Sequence, residues 1–201
     1  TKDRIRSGNP FGIYEGGSSV AVWLGIMVNN ILVALRDFAS GIAFGLPALY
    51  NMGKFGVMVG SFDQLFAMHG LGGSFWLVVF AHGTLEITGF VFIGAAGLIL
   101  GKSFLFPGTI KRIDALKQGA KDGAKIMIGL LPVFAVAAFF EGFVTRLYNN
   151  EGLTFTINGY NFPWFTALVV LLSTIFVIGY FVVYPYRLGK RFAEQLKEEE
   201  V

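Results

Sequence analysis

Long apolar runs dominate the chain, and their lengths predict membrane-spanning helices. Residues 74–100, 126–145 and 164–184 form three such runs, and together they contain only three residues of the Lys, Arg, His, Asp or Glu types. A fourth run, 20–35, is also largely apolar. About 20 apolar residues suffice for a helix to cross the hydrocarbon core of a bilayer. The pattern therefore predicts an all-α fold, a polytopic transmembrane helical bundle.

Two regions of the pattern predict broken or re-entrant helices within that bundle. The stretch 55–68 is short for a full span and contains Asp63, which favours a re-entrant or tilted helix. The run 74–100 is longer than one upright span needs, so it is either one tilted helix or two half-helices that meet beside Gly83. A helix is expected from about Ser19 to Leu46, and Asn51-Met52-Gly53 is a turn signal.

Basic segments predict how the chain is oriented in the membrane. Residues 102–125, the one long polar connection, and 187–197 are rich in Lys and Arg, and residues 1–19 contain three more. Because cytoplasmic loops carry an excess of these residues, all three segments are expected in the cytoplasm. This gives an N-terminal cytoplasmic segment at 1–19, expected to be the end of a longer region. A transmembrane domain at 20–186 and a charged cytoplasmic tail at 187–201 complete the division.

Because residues 1–19 and 102–125 are both expected in the cytoplasm, the chain must cross the membrane an even number of times between residues 20 and 101. Two crossings plus a re-entrant hairpin satisfy it, and so do four crossings by short helices.

Composition agrees with a membrane protein and excludes several functions. The chain is 54% hydrophobic and 14% charged, whereas soluble domains carry about 25% charged residues. Its mean hydropathy is +0.63. The net charge of +3 is accounted for by basic loops, so lipid and not nucleic acid is the expected contact. The chain has no cysteine, which excludes disulfides, thiolate metal sites and cysteine catalysis.

Three ionisable residues lie inside the apolar runs and are the candidate site residues. His82 and Glu86 are four apart, which puts them on one helical face, and Glu141 lies in the later run 126–145. An ionisable side chain at mid-membrane costs roughly 2.5–3.5 kcal/mol on insertion scales and usually faces protein or water.

Three interpretations of these residues remain open. They are ligands of a metal ion, members of a proton or ion path, or a structural polar network at a helix break. No catalytic residue is predicted, because the His-Glu-x-x-His pattern of metalloproteases is absent, and no cofactor is expected. Alternatively, Glu141 lies near the outer membrane face and pairs with Arg146 or Arg36.

Other polar and small residues are expected to join helices. Asn29 and Asn30 belong to the intramembrane polar site as interhelical hydrogen-bonding residues. Closely spaced glycines predict seams where helices pack within the chain: Gly41, Gly45, Gly94, Gly97 and Gly101. The pair Gly56 and Gly60 has the same spacing.

Several of these motifs together resemble one family of integral membrane proteins. They are Asn29-Asn30-Ile31, Gly41-x-x-x-Gly45, Asn51-x-Gly53, Ala81-His82-Gly83-Thr84-Leu85-Glu86, Gly94-Ala95-Ala96-Gly97, Phe106-Pro107-Gly108, Pro132 and Glu141-Gly142-Phe143-Val144-Thr145. The chain resembles the stage II sporulation protein M family over roughly residues 20–150. The segments 6–14 and 105–109 are most similar to members from the Bacteroidetes group, which implies a Gram-negative inner membrane.

The resemblance implies a non-enzymatic role. The family's namesake in endospore formers is a membrane scaffold for two peptidoglycan-degrading partners, and similar proteins occur in organisms that do not sporulate. The leading hypothesis is therefore an inner-membrane scaffold or subunit of a larger complex linked to cell-envelope remodelling. Its partners would be other membrane or envelope proteins, and a homo-oligomer is left open. The alternatives are a transporter or channel-like protein that uses His82, Glu86 and Glu141, and a membrane metalloenzyme.

Overall fold

The described part of the chain is almost entirely helical. The computed structural model describes residues 18–70, 72–145, 153–157 and 160–199. Within these ranges the helices are α1 (Ser19–Ser40), α2 (Leu46–Ala67), α3 (Gly72–Leu105), α4 (Arg112–Phe139), α5 (Trp164–Val177) and α6 (Tyr184–Glu199). A π-helical turn, Phe140–Val144, continues α4, and another, Ile178–Val183, joins α5 to α6. The predicted all-α fold class is confirmed.

A short hairpin precedes α5. Strands β1 (Phe155–Ile157) and β2 (Tyr160–Phe162) pair antiparallel, with Phe155 opposite Phe162.

Four helical segments of the described chain are long and apolar enough to cross a membrane. They are Ser19–Ser40, Phe75–Leu105, Arg112–Val144 and Trp164–Gln195. Helix α2, which carries Lys54 and Asp63, is not among them. The protein is a multi-pass membrane protein. Two of the four segments precede residue 106, which fits the even number expected, and the side on which each loop lies stays a prediction.

Helix α3 is the central helix and packs against α1, α2, α4 and α5. Its Leu85 and Ile93 join the largest apolar cluster, to which α4 contributes Leu130 and Phe134, and α1 contributes Ala34. These side chains are almost fully buried. The core therefore lies along α3 and fixes α4 and α1 against it.

Helix α3 is continuous, so of the two alternatives for residues 74–100 the single helix is correct, and two half-helices that meet beside Gly83 are not formed. It runs for 34 residues from Gly72 to Leu105. A glycine inside a helix costs only about 1 kcal/mol relative to alanine. A break in lipid would free backbone groups that each cost several kcal/mol unless they find partners. The unbroken helix therefore has the lower free energy. His82 and Glu86 lie within a continuous helix and not at a helix break.

The predicted turn at residues 51–53 is also wrong, because the turn lies at residues 41–45. Phe44 and Gly45 have left-handed φ values of 61° and 76°, and Pro47 stands in the first turn of α2, where proline loses no hydrogen bond. Helix α1 accordingly ends at Ser40 and not near Leu46. The side chain of Asn51 is instead a tie between helices, since its Nδ2 donates to Asp37 Oδ1 at 2.8 Å.

Most of the polar connection expected at 102–125 is helical, because α4 begins at Arg112. Ala115, Gly119 and Gly123, spaced four apart, are buried, and a Cβ at Gly119 would overlap Ser103 of α3. The charges lie on the other side as exposed pairs one turn apart, Asp114 with Lys117 and Asp122 with Lys125. Small residues thus let a charged segment pack closely on α3.

The tail is helical, as expected, and α5, the π turn and α6 form one continuous helix. The boundary expected between residues 186 and 187 falls inside α6.

Candidate intramembrane polar site

Three ionisable side chains from two distant parts of the sequence meet within the helical bundle. His82, Glu86 and Glu141 each offer a nitrogen or carboxylate oxygen, and these three atoms all lie within 4.8 Å of one another. All three side chains are half-buried. The structure therefore brings the three strongest candidates from the sequence into one cluster.

The helices position the cluster in two ways. His82 and Glu86 lie one turn apart on α3 and face the same direction. Glu141 lies in the π turn Phe140–Val144 at the end of α4. Such turns are rare and frequently occur at functional sites, because the extra residue changes the direction in which the following side chains point.

The glycine that follows Glu141 allows a third helix to approach the same turn. Gly142 is buried, and a Cβ built on it would lie 3.2 Å from the backbone of Trp23 in α1. Trp23 itself donates from Nε1 to the carbonyl oxygen of Ala135 at 3.0 Å. Helix α1 is thus held beside the turn that carries Glu141.

Apolar side chains adjoin the cluster along the chain. Ala81 and Leu85 flank His82 on α3 and are at most 3% exposed, and Val144, three residues after Glu141, is also buried. Ala81 and Val144 pack with Val169 of α5 in a small apolar cluster. Buried apolar side chains thus adjoin the residues of the cluster on both α3 and the π turn.

One ring nitrogen of His82 lacks a well-formed hydrogen bond. The ring interacts with the carbonyl group of Val78 one turn earlier on α3, but the buried Nδ1 makes no hydrogen bond of good geometry to any described residue. A buried polar group left without a partner costs about 1–3 kcal/mol. The neighbouring hydroxyls differ, because Thr84 Oγ1 donates to the carbonyl of Phe80 and Thr88 Oγ1 to that of Thr84, each at 2.7 Å.

The two asparagines of the predicted site have different environments. Asn29 is exposed on α1. Asn30 is 4% exposed, and its Nδ2 has no hydrogen-bond partner among the described residues. Of the proposed partners of Glu141, Arg36 is exposed on α1, and Arg146 lies outside the described residues.

The glycines expected in packing seams lie where helix backbones approach each other. A Cβ at Gly41 would overlap the carbonyl group of Gly97, and one at Gly101 would overlap the amide nitrogen of Gly45. Gly94 is covered by the side chain of Met52. These contacts join the end of α1 and the start of α2 to α3.

Sequence reasoning missed the buried Asp37, which accepts the hydrogen bond from Asn51 and is 6% exposed. The position of this acidic residue between two apolar stretches could have indicated that it is buried and paired with another residue. The π turn at Glu141 could not be predicted, because no residue pattern around Glu141 marks such a turn.

An apolar cavity of about 420 Å³ lies between α4 and α5. Its lining includes Leu85 and Phe140, the chain neighbours of Glu86 and Glu141. The remaining lining is apolar apart from Ser173 and Tyr180: Gly129, Pro132, Val133, Val136, Leu172 and Phe176. Such walls suit an acyl chain better than a hydrated ion.

Comparison with known proteins adds one finding. No curated protein and no solved structure matches the chain. The family model described as stage II sporulation protein M matches residues 2–146, which include the seam glycines and all three members of the polar cluster. The chain belongs to the stage II sporulation protein M family.

Proposed function

We propose that this protein is a non-enzymatic scaffold or subunit of a larger complex in the inner membrane, linked to cell-envelope remodelling. The observation that carries the proposal is an open glycine face on α2. Gly53, Gly56 and Gly60 lie on one side of that helix, and a Cβ added to any of them would meet nothing within 4 Å.

The open face contrasts with the glycine seams inside the protein. Gly41 and Gly101 lie directly against the backbone of another segment, and that close approach is what small residues permit in membranes. Gly56 and Gly60 have the same spacing of four but no helix against them, although the sequence pattern favoured an internal seam. A helix from a partner protein fits this face by the same packing.

The chemistry of α2 also favours a protein partner over lipid. Lys54 and Asp63 interrupt its apolar sequence, and only Ala48 and Phe66 of its 22 residues are buried. A helix that is neither buried in its own chain nor uniformly apolar is better matched to a protein surface than to acyl chains. Aromatic contacts hold the opposite side of α2 to α3, as in Phe55 with Phe90 and Phe66 with Phe75.

Two further arguments support the cellular setting. The basic character of the segments at 102–125 and in the tail fits a cytoplasmic face. Family membership supports an assembly with envelope proteins through the resemblance to the family's namesake, for which a scaffold role with peptidoglycan-degrading partners is expected.

Co-purification tests the proposal. The chain, expressed at native level, is isolated in mild detergent, and the proteins that accompany it are identified by mass spectrometry. A double substitution, Gly56→Leu with Gly60→Leu, should release those proteins because two large side chains then cover the face. Gly25→Leu is the matched control, because Gly25 is an equally open glycine on α1.

Retention of the same partners by the double variant would contradict the role of α2. Isolation of the natural chain as a partner-free monomer would contradict the scaffold itself.

A second candidate function is transport through a polar path, and the convergence of His82, Glu86 and Glu141 favours it. Pathways for ions are lined by polar groups or water, whereas the cavity beside this cluster has mainly apolar walls. Flux of protons or cations into liposomes that contain the protein, abolished by Glu86→Gln, would support transport over the scaffold.

A further inference from the structure

We propose that His82, Glu86 and Glu141 bind one divalent first-row transition-metal ion, for which Zn²⁺ is the first ion to test. The proposal does not depend on the scaffold role. It rests on the types of the three side chains, their distances and the burial of the histidine nitrogen Nδ1.

The donor set is one that such ions accept. Imidazole nitrogen suits zinc, iron and nickel, and carboxylate oxygen is also a common ligand of Zn²⁺. The cluster supplies one nitrogen donor from His82 and carboxylate donors from Glu86 and Glu141. Three protein ligands leave a fourth position for water or a ligand from another molecule.

The distances are close to those of a bound ion. Ligand atoms about 2.1 Å from a tetrahedral Zn²⁺ lie about 3.4 Å from one another. The three donor atoms here are already within 4.8 Å of one another. Rotamer changes of long carboxylate side chains close a gap of that size without any movement of the helices.

The histidine is placed to act as a ligand. His82 Nδ1 is buried and makes no hydrogen bond of good geometry to a described residue, although the ring interacts with the carbonyl group of Val78 one turn earlier on α3. Such a backbone contact at one ring nitrogen leaves the other nitrogen for a metal ion, which needs the neutral form of imidazole. The other histidine of the chain, His69, is exposed.

Charge gives a further reason. When both carboxylates are ionised, they place a charge of −2 between two segments that are long and apolar enough to cross the membrane, and a divalent cation brings +2. Bringing the two carboxylates together without a cation is unfavourable, since like charges repel and both lose hydration. The ion would thereby clamp the middle of α3 to the π turn that ends α4.

Metal content of the purified protein tests the proposal. The natural chain, carried on a tag without histidine, is incubated with Zn²⁺ in mild detergent, freed of excess ion and analysed by elemental mass spectrometry. About one zinc ion per chain is expected. His82→Ala, Glu86→Gln and Glu141→Gln should each weaken Zn²⁺ binding by about 100-fold or more, since losing even an outer-shell partner costs 10–100-fold.

Matched controls separate ligand loss from a general effect of substitution. His69→Ala and Glu194→Gln change exposed residues of the same types and should retain the ion. Glu86→His, which offers a nitrogen ligand at the same position, should also retain it, and this result would show that the fold tolerates replacement of Glu86. Visible absorption of bound Co²⁺ should appear in the natural chain and disappear in His82→Ala.

The proposal is overturned if the natural chain takes up no more Zn²⁺ than His82→Ala, or if His69→Ala loses the ion equally. In either case the cluster is held by protons and hydrogen bonds alone.

Discussion

Gly101 lies where the backbone of α3 meets the turn between α1 and α2, and replacing it by alanine should weaken the fold. A Cβ at this position would lie 2.7 Å from the carbonyl oxygen of Gly41 and from the carbonyl carbon of Phe44. Both are backbone atoms, so neither can turn away as a flexible side chain would. The segments must then separate, and overpacking of this kind typically costs about 1–3 kcal/mol.

Gly56→Ala is the matched control for this substitution. Gly56 also lies within a helix, but an added Cβ there meets nothing within 4 Å. Both substitutions gain the helix propensity of alanine, about 1 kcal/mol, so this gain cancels when the two variants are compared. Gly101→Ala should therefore unfold at a free energy about 1–3 kcal/mol lower than Gly56→Ala.

Unfolding in mixed micelles, with the mole fraction of sodium dodecyl sulfate raised stepwise, measures this difference through the helical circular dichroism signal. If Gly101→Ala proves as stable as Gly56→Ala, the close crossing of these segments is refuted.

Three further substitutions test individual contacts by the same unfolding measurement. Asn51→Ala removes the donor to the buried Asp37 and should cost about 1–3 kcal/mol, whereas Asn29→Ala, at an exposed position, should change stability little. Trp23→Phe removes the hydrogen bond to the carbonyl of Ala135 and should cost about 1 kcal/mol; unchanged stability would mean that the bond does not hold α1 to α4. Lys125→Ala breaks an exposed ion pair and should shift stability by less than about 1 kcal/mol, so a larger loss would contradict its surface role.

The apolar pattern was sufficient to predict the class of fold and the main spans. Runs long enough to cross a membrane leave little choice other than helices, because lipid offers no hydrogen bonds to a free backbone. The spacing of His82 and Glu86 also predicted that they share a face. Their meeting with Glu141 depends on how α3 and α4 pack, and no local pattern specifies that.

The errors came from local signals that packing overrides. Gly83 left a break open as one alternative, but the cost of freed backbone groups in lipid exceeds that of one glycine in a helix. Asn51 and Gly53 favoured a turn, yet Pro47 and the left-handed Gly45 place the turn earlier. The charged residues between 102 and 125 favoured a polar loop. The buried side of α4 in this region consists of small residues such as Gly119 and Gly123, and their weak hydropathy gave no apolar pattern that would have predicted a helix.

His82, Glu86 and Glu141 form one site only if α3 and the π turn after α4 face each other as described. The chain contains no cysteine, so a thiol pair can be introduced without a background. The measurement is the intact mass of His82→Cys with Glu141→Cys after treatment with mercury(II), which joins two nearby thiolates. The comparison pair is Val91→Cys with Glu141→Cys, because Val91 is exposed on α3 and lies about 13 Å along the helix from His82. One bridging mercury is expected in the first pair and none in the second. Two separately capped thiols in the first pair, or equal bridging in both, would contradict it.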